Sequence, residues 1–224
     1  MDSLTGLARE LLPALLRGAV VTLELTAVSA VLALAAAFVA GFCRLSKSRL
    51  LRAVTTIYVE IFRGTSVLVQ LFWFFFALPF LGLRLQPFTA GVLALGLNVG
   101  AYASEVVRGA ILSVPKEQTE ATIALNLTSW QRMRDVILPQ AWVVMLPAFG
   151  NNIVELLKVT ALVSLVTLQD VTFQAQIFTQ GRGHTTEVFA VLLVVYFVLA
   201  WPFTALVRLV ERRSRWLGYG EARR

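Results

Sequence analysis

The sequence predicts an all-α integral membrane protein with five transmembrane helices. Of its 224 residues, 58% are hydrophobic and only 15% are charged, and the mean hydropathy is +0.75. An ordinary soluble domain has about 25% charged and 45–50% apolar residues, so this chain has too few polar groups to cover a soluble surface. The composition therefore excludes a soluble enzyme, a disordered chain and a fibrous repeat, and it favours several helices that cross a bilayer.

Five stretches approach the length of about 20 mainly apolar residues that a spanning helix needs. They are Val20–Phe42, Val67–Leu83, Phe88–Val107, Trp142–Leu157 and Val188–Val207. The fourth stretch can extend to Leu168. The third contains the sequence G-L-N-V-G at Gly96–Gly100, and such spacing of small residues allows two helices to approach closely.

The basic residues predict the orientation of these spans. Fifteen of the twenty lysines and arginines follow span one, span three or span five, and only four fall on the opposite side. Because basic loops stay in the cytoplasm, the N-terminus is predicted outside and the C-terminus inside. Residues 1–17 then form an extracytoplasmic segment and residues 213–224 a basic cytoplasmic tail. The net charge of +7 thus reflects topology, and nucleic acid is not an expected partner.

The residues that usually mark an enzyme or a metal site are missing from the sequence. Cys43 is the one cysteine and His184 the one histidine, so no zinc site with the usual ligand count can form. The chain has no phosphate-binding loop of the G-x-x-x-x-G-K-[S/T] type and no H-E-x-x-H motif. We therefore expect no cofactor to bind this chain and no covalent chemistry.

The segment Ser113–Gln140 is too polar to span the membrane, and its pattern predicts two short helices joined at an angle. Asn126 is placed where the first helix ends, in the left-handed conformation that asparagine tolerates. Thr128 and Gln131 form a capping box, so a second helix should begin there and stop before Pro139. Such a knob could lie on lipid headgroups, or it could be a docking element for a cytoplasmic partner.

Several spaced motifs resemble the permeases of binding-protein-dependent ABC importers, and in particular the polar amino acid family of the histidine and glutamine type. E-A-T-I-A-L-N at Glu120–Asn126, followed by I-L-P at Ile137–Pro139, resembles the E-A-A loop of these permeases. In this sequence Thr122 replaces the second alanine of that loop and Asn126 replaces its glycine. The other matching stretches are T-L-E-L-T at Thr22–Thr26, Y-V-E-I-F-R-G-T at Tyr58–Thr65, and the segments Ala101–Gln118 and Gly150–Ser164.

The resemblance implies a type I ABC importer permease fold over residues 18–212, in the cytoplasmic (inner) membrane of a bacterium. It implies three kinds of protein partner: two ATPase subunits, a second permease that is a homologous sister chain or a second copy, and an extracytoplasmic solute-binding protein. ATP and Mg²⁺ would bind the ATPase subunits, so this chain would transport a solute without being an enzyme. The residues that it implies in the ATPase-coupling loop are Glu120, Ala121, Thr122, Asn126, Ile137, Leu138 and Pro139.

Two stretches resemble the branch of this family that takes up ectoine and hydroxyectoine. They are L-K-V-T-A-L-V-S at Leu157–Ser164 and F-R-G-T-S-V-L-V-Q-L-F-W at Phe62–Trp73. Val159 and Ala161 stand where other polar amino acid permeases carry Asp and Ser, which leaves fewer polar partners for a charged solute. The expected solute is therefore a small zwitterion, either a polar amino acid or a compatible solute such as ectoine.

Polar side chains inside the predicted spans are the candidates for a translocation pathway. A charged group within a span usually faces a watery cavity or the interior of the bundle. Glu155 and Lys158 lie three residues apart on one helix face, where they could pair with each other or meet a zwitterion. The alternative role for the polar side chains is hydrogen bonding between helices. The full set of candidates is Asn98, Tyr102, Glu105, Asn151, Glu155, Lys158 and Thr160.

Two other functions are alternatives to the importer permease. A stand-alone secondary transporter or channel would show inverted repeats and broken helices at the bilayer midplane, and no repeat is evident in the sequence. A membrane anchor for another enzyme would have no use for Asn98, Glu155 and Lys158 inside its spans.

Overall fold

The computed structural model describes residues 2–182 and 184–216, and that part of the chain contains helices and no strand. The α-helices are α1 Asp2–Leu45, α2 Arg49–Gly64, α3 Val67–Phe72, α4 Pro87–Ser113, α5 Lys116–Ala124, α6 Ser129–Gln131, α7 Leu138–Val159, α8 Val171–Arg182 and α9 Thr185–Trp216. Two π-helical turns, Trp73–Ala77 and Arg132–Ile137, follow α3 and α6. Two 3₁₀ segments, Leu78–Leu81 and Thr160–Val166, complete the second and fourth spans.

Four of the five predicted spans are found as unbroken helices, and the second predicted span differs. Four stretches are long and apolar enough to cross a membrane: Leu11–Leu45, Pro87–Ser113, Ser129–Val166 and Thr185–Leu209. The second predicted span falls on a bent pair of helices, Arg49–Gly64 and Val67–Leu81, which meet at an angle of 105° and make a fifth span if the pair is counted as one. The hydropathy placed this span at Val67–Leu83 and gave no sign of α2, because α2 is amphipathic and its polar residues lower the average.

Helices α1 and α4 lie side by side in the most extensive helix contact of the fold, and glycines on α4 make this possible. A Cβ atom added to Gly100 would lie 2.8 Å from the Cβ of Ala36, and one added to Gly96 would lie 2.8 Å from Leu32. The role of the G-L-N-V-G pattern in close packing is therefore confirmed. Since Asn98 lies between the two glycines, the backbone position of this polar residue is fixed by the contact.

The helix α1 begins well before the predicted span. Leu11 and Leu15 are buried, and they pack against Val171 and Ala175 of α8 and Val188 of α9. The backbone at Gly18 lies against the segment between the fourth span and α8. A Cβ atom added to Gly18 would lie 2.7 Å from the carbonyl oxygen of Asp170. The first turns of α1 thus belong to the packed body of the protein.

The knob forms as predicted in its first half. The helix α5 ends at Ala124, and Asn126 has a positive φ of 54°, which confirms the left-handed joint. The amide of Leu127 then donates to the carbonyl oxygen of Thr122 at 3.0 Å, a bond that closes the turn. The capping box of Thr128 and Gln131 is present in both directions.

The predicted stop before Pro139 is wrong, because the helix continues through this proline into the fourth span. Proline lacks an N–H and clashes with the carbonyl one turn earlier in a regular α-helix. Here the preceding turn, Arg132–Ile137, is π-helical, and the amide of Leu138 donates to the carbonyl oxygen of Met133, five residues earlier. This wider turn shifts the positions of the carbonyl groups that precede Pro139. The helical path from Ser129 to Val166 is therefore unbroken.

The close approach of α1 and α4 predicts a difference between two glycine-to-alanine substitutions. Gly100→Ala would force a Cβ atom into Ala36 and Ala33, whereas a Cβ atom at Gly109 meets nothing within 4 Å. Overpacking costs about 1–3 kcal/mol, while removing a glycine from an open helix position stabilises by up to about 1 kcal/mol. Gly100→Ala should therefore unfold at a lower temperature than the wild type in detergent, and Gly109→Ala should not. Equal unfolding temperatures for the two variants would contradict this packing.

Candidate functional site

The break between α2 and α3 lies beside the middle of α4, and two amide side chains hold it in place. The Nδ2 atom of Asn98 donates to the carbonyl oxygen of Phe62 at 2.8 Å and to Oε1 of Gln70 at 3.1 Å. The Nε2 atom of Gln70 donates to the same Phe62 carbonyl at 2.9 Å and to the carbonyl and hydroxyl oxygens of Thr65 at 3.2 and 2.8 Å. The carbonyls that the bend takes out of the helical ladder are thereby satisfied inside the protein.

Farther along α4, three cations surround a single carboxylate. Glu105 accepts hydrogen bonds from Arg44 at the end of α1 and from Arg63 at the end of α2, the latter at 3.1 Å, and it pairs with Arg108 at 3.5 Å. The guanidinium of Arg63 also lies 5.2 Å from the ring centre of Tyr102, whose hydroxyl donates to the carbonyl oxygen of Arg63. Glu105 thus ties three helices together at one end of the bundle.

A cavity of about 330 Å³ opens at the break, between α3, α4 and α7. Its lining residues are Thr65, Ser66, Val67, Asn98, Val99, Tyr102, Asn152, Glu155 and Val159. Three of the predicted pathway residues, Asn98, Tyr102 and Glu155, are therefore brought together here. Asn98 and Tyr102 also make the hydrogen bonds between helices that were the alternative role for them.

Asn152 and Ser66 are polar residues of this cavity that lie outside the predicted pathway set. The Nδ2 atom of Asn152 is buried and has no hydrogen-bond partner in the described part of the chain. Asn151, which the family motif selects, is exposed and does not line the cavity. The helical period was the available signal, since Asn152, Glu155 and Val159 repeat at intervals of three and four and so share one face of α7.

The remaining predicted pathway residues lie elsewhere. Glu155 and Lys158 form no ion pair with each other or with any other described residue, and Lys158 lines a separate groove beside α9. Thr160 is fully buried and donates to the carbonyl oxygen of Leu157 at 2.6 Å. Glu105 is held by its three arginines. No group of three His, Cys, Asp or Glu side chains that could hold a metal ion occurs in the described ranges.

The knob presents apolar side chains on its surface. Ile123, Leu125 and Trp130 are 54%, 72% and 71% exposed. Glu120 and Ala121 are also exposed, whereas Thr122 is 2% exposed and packs inside the knob. Among the coupling-loop residues predicted farther along, Ile137 is buried in the core, Leu138 packs partly against it and Pro139 is exposed. The surface available to a partner is thus the part around α5 and Trp130.

A model of the family described as "Binding-protein-dependent transport system inner membrane component" matches residues 29–216. The chain belongs to this family. A probable amino-acid ABC transporter permease, y4tF of Sinorhizobium fredii, is 46% identical over 91% of this chain and 88% of the relative. The glutamine transport system permease GlnP of Escherichia coli K12 is 35% identical over 91% and 94%, and the L-cystine transport system permease TcyB of Bacillus subtilis is 36% identical over 90% and 86%.

Solved structures agree with this assignment. The crystal structure of an amino acid ABC transporter with histidines contains a chain that is 35% identical, with a TM-score of 0.85 over 90% of this chain and 94% of that one. An inward-facing MetNI methionine ABC transporter, 22% identical with a TM-score of 0.70 over 88% and 96%, shares the fold. The chain is a permease subunit of an amino-acid ABC importer in the inner membrane, and it is not an enzyme. An ATPase and a binding protein are accordingly its general partners, and the stand-alone transporter and the anchor are excluded.

The amide network at the break predicts a loss of stability when Gln70 is changed. Gln70→Leu keeps the approximate volume but leaves the Thr65 carbonyl without its donor, and unsatisfied buried groups cost about 1–3 kcal/mol each. The unfolding temperature of the purified permease should fall. Gln86→Leu, an exposed glutamine that makes no side-chain cap at the start of α4, is the control and should leave it nearly unchanged. If both variants behave alike, the network does not stabilise the break.

Proposed function

We propose that the cavity at the break is the solute site of the importer and that it receives a small zwitterion, in the first place a polar amino acid. The observation that carries this proposal is that one cavity is lined by both Glu155 and Asn152, whose amide nitrogen has no hydrogen-bond partner in the described part of the chain. A carboxylate can hold the ammonium group of an amino acid, and an amide N–H can donate to its carboxylate. The volume of about 330 Å³ lies at the small end of the range for ligand pockets.

The environment of Glu155 favours a cationic ligand. A carboxylate inside a membrane span is costly unless it faces water or is paired, so such residues mark functional sites by default. Glu105, the other acidic residue near this region, already has three arginine partners, while Glu155 has none in the described part of the chain. The ammonium group of the solute would supply the missing charge.

The broken second span favours a site at this depth. Non-helical backbone at membrane depth is tolerated where it is buried in protein or lines a cavity, and solute sites of transporters are commonly built at such breaks. Thr65 and Ser66 are the residues of the break. Both have an extended backbone, and both line the cavity. The Ser66 hydroxyl makes no hydrogen bond within the described residues, so it is a second donor for the solute carboxylate.

The named relatives favour a polar amino acid as the solute, whereas two sequence stretches favour ectoine. The relatives at 35–46% identity are named for amino acids, glutamine or cystine, which favours a polar amino acid. The sequence stretches around Lys158 and Arg63 resemble the ectoine branch, and ectoine is also a compact zwitterion. The amino acid is therefore the proposed solute and ectoine the alternative that the uptake experiment below tests.

In the assembled importer we expect two ATPase subunits to bind ATP and Mg²⁺ and to dock against the knob, while this chain itself holds no cofactor. A second permease, either a sister chain or a second copy, would complete the pathway. The exposed apolar side chains Ile123, Leu125 and Trp130 support the docking role, since a partner subunit could bury them in a contact. The N-terminus would be outside and the knob and the tail in the cytoplasm.

The docking role predicts the effect of a bulky side chain on the knob. Ala121 is exposed, so Ala121→Trp should leave the permease folded but overfill the contact with the ATPase, at a cost of about 1–3 kcal/mol. Uptake and solute-stimulated ATP hydrolysis should both fall while the amount of permease in the membrane stays normal. The matched control is Ala190→Trp. Ala190 is also exposed, and it lies near the start of α9 and outside the knob. Normal coupling in Ala121→Trp would argue against docking at this surface.

The solute site predicts a selective loss of transport in Glu155→Gln. The substitution keeps the size of the side chain and removes the charge that would hold the ammonium group, and a hydrogen bond to a charged group contributes about 1.5–3 kcal/mol. Uptake of a labelled polar amino acid should fall on the order of tenfold to a hundredfold, while capture by the separate binding protein is unchanged. Glu24→Gln, an exposed glutamate on α1 outside the cavity, is the control.

The same experiment decides the remaining questions about the solute. Labelled ectoine is offered beside the amino acids, and wild-type uptake of neither class would overturn the zwitterion assignment. Lys158→Ala is measured as well, because this lysine is on the same helix as Glu155 but lines a different groove. If Glu155→Gln transports at the wild-type rate, the cavity at the break is not the solute site.

A further inference from the structure

A groove that is separate from the solute cavity runs along the last helix. It has a volume of about 770 Å³ and lies between α9 and the end of α7. Its lining residues are Lys158, Tyr196, Phe197, Ala200, Trp201, Thr204, Ala205, Arg208, Leu209 and Arg212. All of them except Lys158 belong to one side of α9, where they repeat at intervals of three and four residues.

The helix α9 is the least covered span of the protein. In its most apolar window 11% of the residues are buried, against 39% or more in the other three unbroken spans. Phe197 is 65% and Trp201 62% exposed on the groove side, and Leu209 is 64% exposed. A ligand that fills this groove must therefore be mainly apolar.

The charges of the groove are all of one sign. Lys158, Arg208 and Arg212 line it, and no acidic side chain does so among the residues that the structure describes. Arg208 and Arg212 lie together at one end, which is the cytoplasmic end under the predicted orientation, and Phe197, Ala200 and Trp201 lie toward the middle of the span. The groove thus combines an apolar body with a cationic mouth.

The groove is somewhat longer than one lipid leaflet is thick. Tyr196 and Arg212 are sixteen residues apart on α9, which corresponds to roughly 24 Å at 1.5 Å per residue. Half of a bilayer with its headgroup region is about 20–22 Å thick. A groove of this length reaches from the bilayer centre to the inner headgroups.

We propose that this groove binds an anionic phospholipid of the inner leaflet, with the phosphate held between Arg208 and Arg212 and an acyl chain along Phe197, Ala200 and Trp201. Basic pockets at the cytoplasmic ends of membrane helices attract anionic headgroups in general. Lys158 lines the groove from α7 and adds to its positive charge.

The lipid content of the complete importer tests this proposal. The wild-type complex is exchanged into vesicles of equal parts phosphatidylglycerol and phosphatidylcholine and then extracted in mild detergent, and the retained lipids are quantified by mass spectrometry. Wild type should retain the anionic lipid in excess. In Arg208→Gln/Arg212→Gln that excess should fall by roughly tenfold or more, at about 1 kcal/mol for each basic residue removed.

The charge-matched control is Arg49→Gln/Arg52→Gln, which also removes two exposed arginines on the predicted cytoplasmic side but outside the groove. It should retain the anionic lipid like wild type. An equal loss in both double variants, or no loss in either, would overturn the proposal. Because lipid retention is measured without transport, the outcome is independent of whether the solute cavity is assigned correctly.

A photo-crosslinking group at Thr204, inside the groove, identifies the occupant directly and does not rely on the arginine variants folding. A product heavier by the mass of one phospholipid supports the proposal. A product with the mass of two permease chains would show that the second permease covers the groove, and the proposal would then be wrong.

Discussion

The arrangement of the membrane domain depends on two amide side chains that satisfy the backbone of a broken span. In the hydrocarbon region an unpaired carbonyl has no water to bind, so a bend of 105° can exist only where side chains replace the missing helical hydrogen bonds. Asn98 and Gln70 do this for the carbonyls of Phe62 and Thr65. Asn98 can reach them because Gly96 and Gly100 bring α4 against α1 and fix its position in the bundle.

The charged residues of the domain divide into those that are neutralised within the chain and those that are not. Glu105 is surrounded by Arg44, Arg63 and Arg108, so its part in the fold is to connect helices. Glu155 and Lys158 have no such partners in the described part of the chain. Glu155 lines the cavity at the break, and Lys158 lines the groove beside α9. The pairing that their spacing of three residues allowed is not made, and each is left available to a ligand of opposite charge.

Much of the fold could be predicted from the sequence, because hydropathy and helix-end chemistry are local. The four unbroken spans, the capping box at Thr128 and the left-handed Asn126 are all set by residues close in the sequence. The broken second span and the passage through Pro139 depend on longer-range causes: the amides of Gln70 and Asn98 in one case and a π turn in the other. For the candidate site, the helical phase of α7 separates Asn151, which belongs to the predicted pathway set, from Asn152, which lines the cavity.

The unbroken helical path from Ser129 to Val166 has a mechanical consequence. It makes the knob and the wall of the cavity two ends of a single rod, with Trp130 at one end and Glu155 roughly 38 Å away along the axis at 1.5 Å per residue. A rod of that length acts as a lever. Tilting it by about 5° at the knob would displace Glu155 by roughly 3 Å, which is the length of a hydrogen bond. A tilt of this helix at the cytoplasmic surface would therefore shift contacts at membrane depth without any helix melting or reforming.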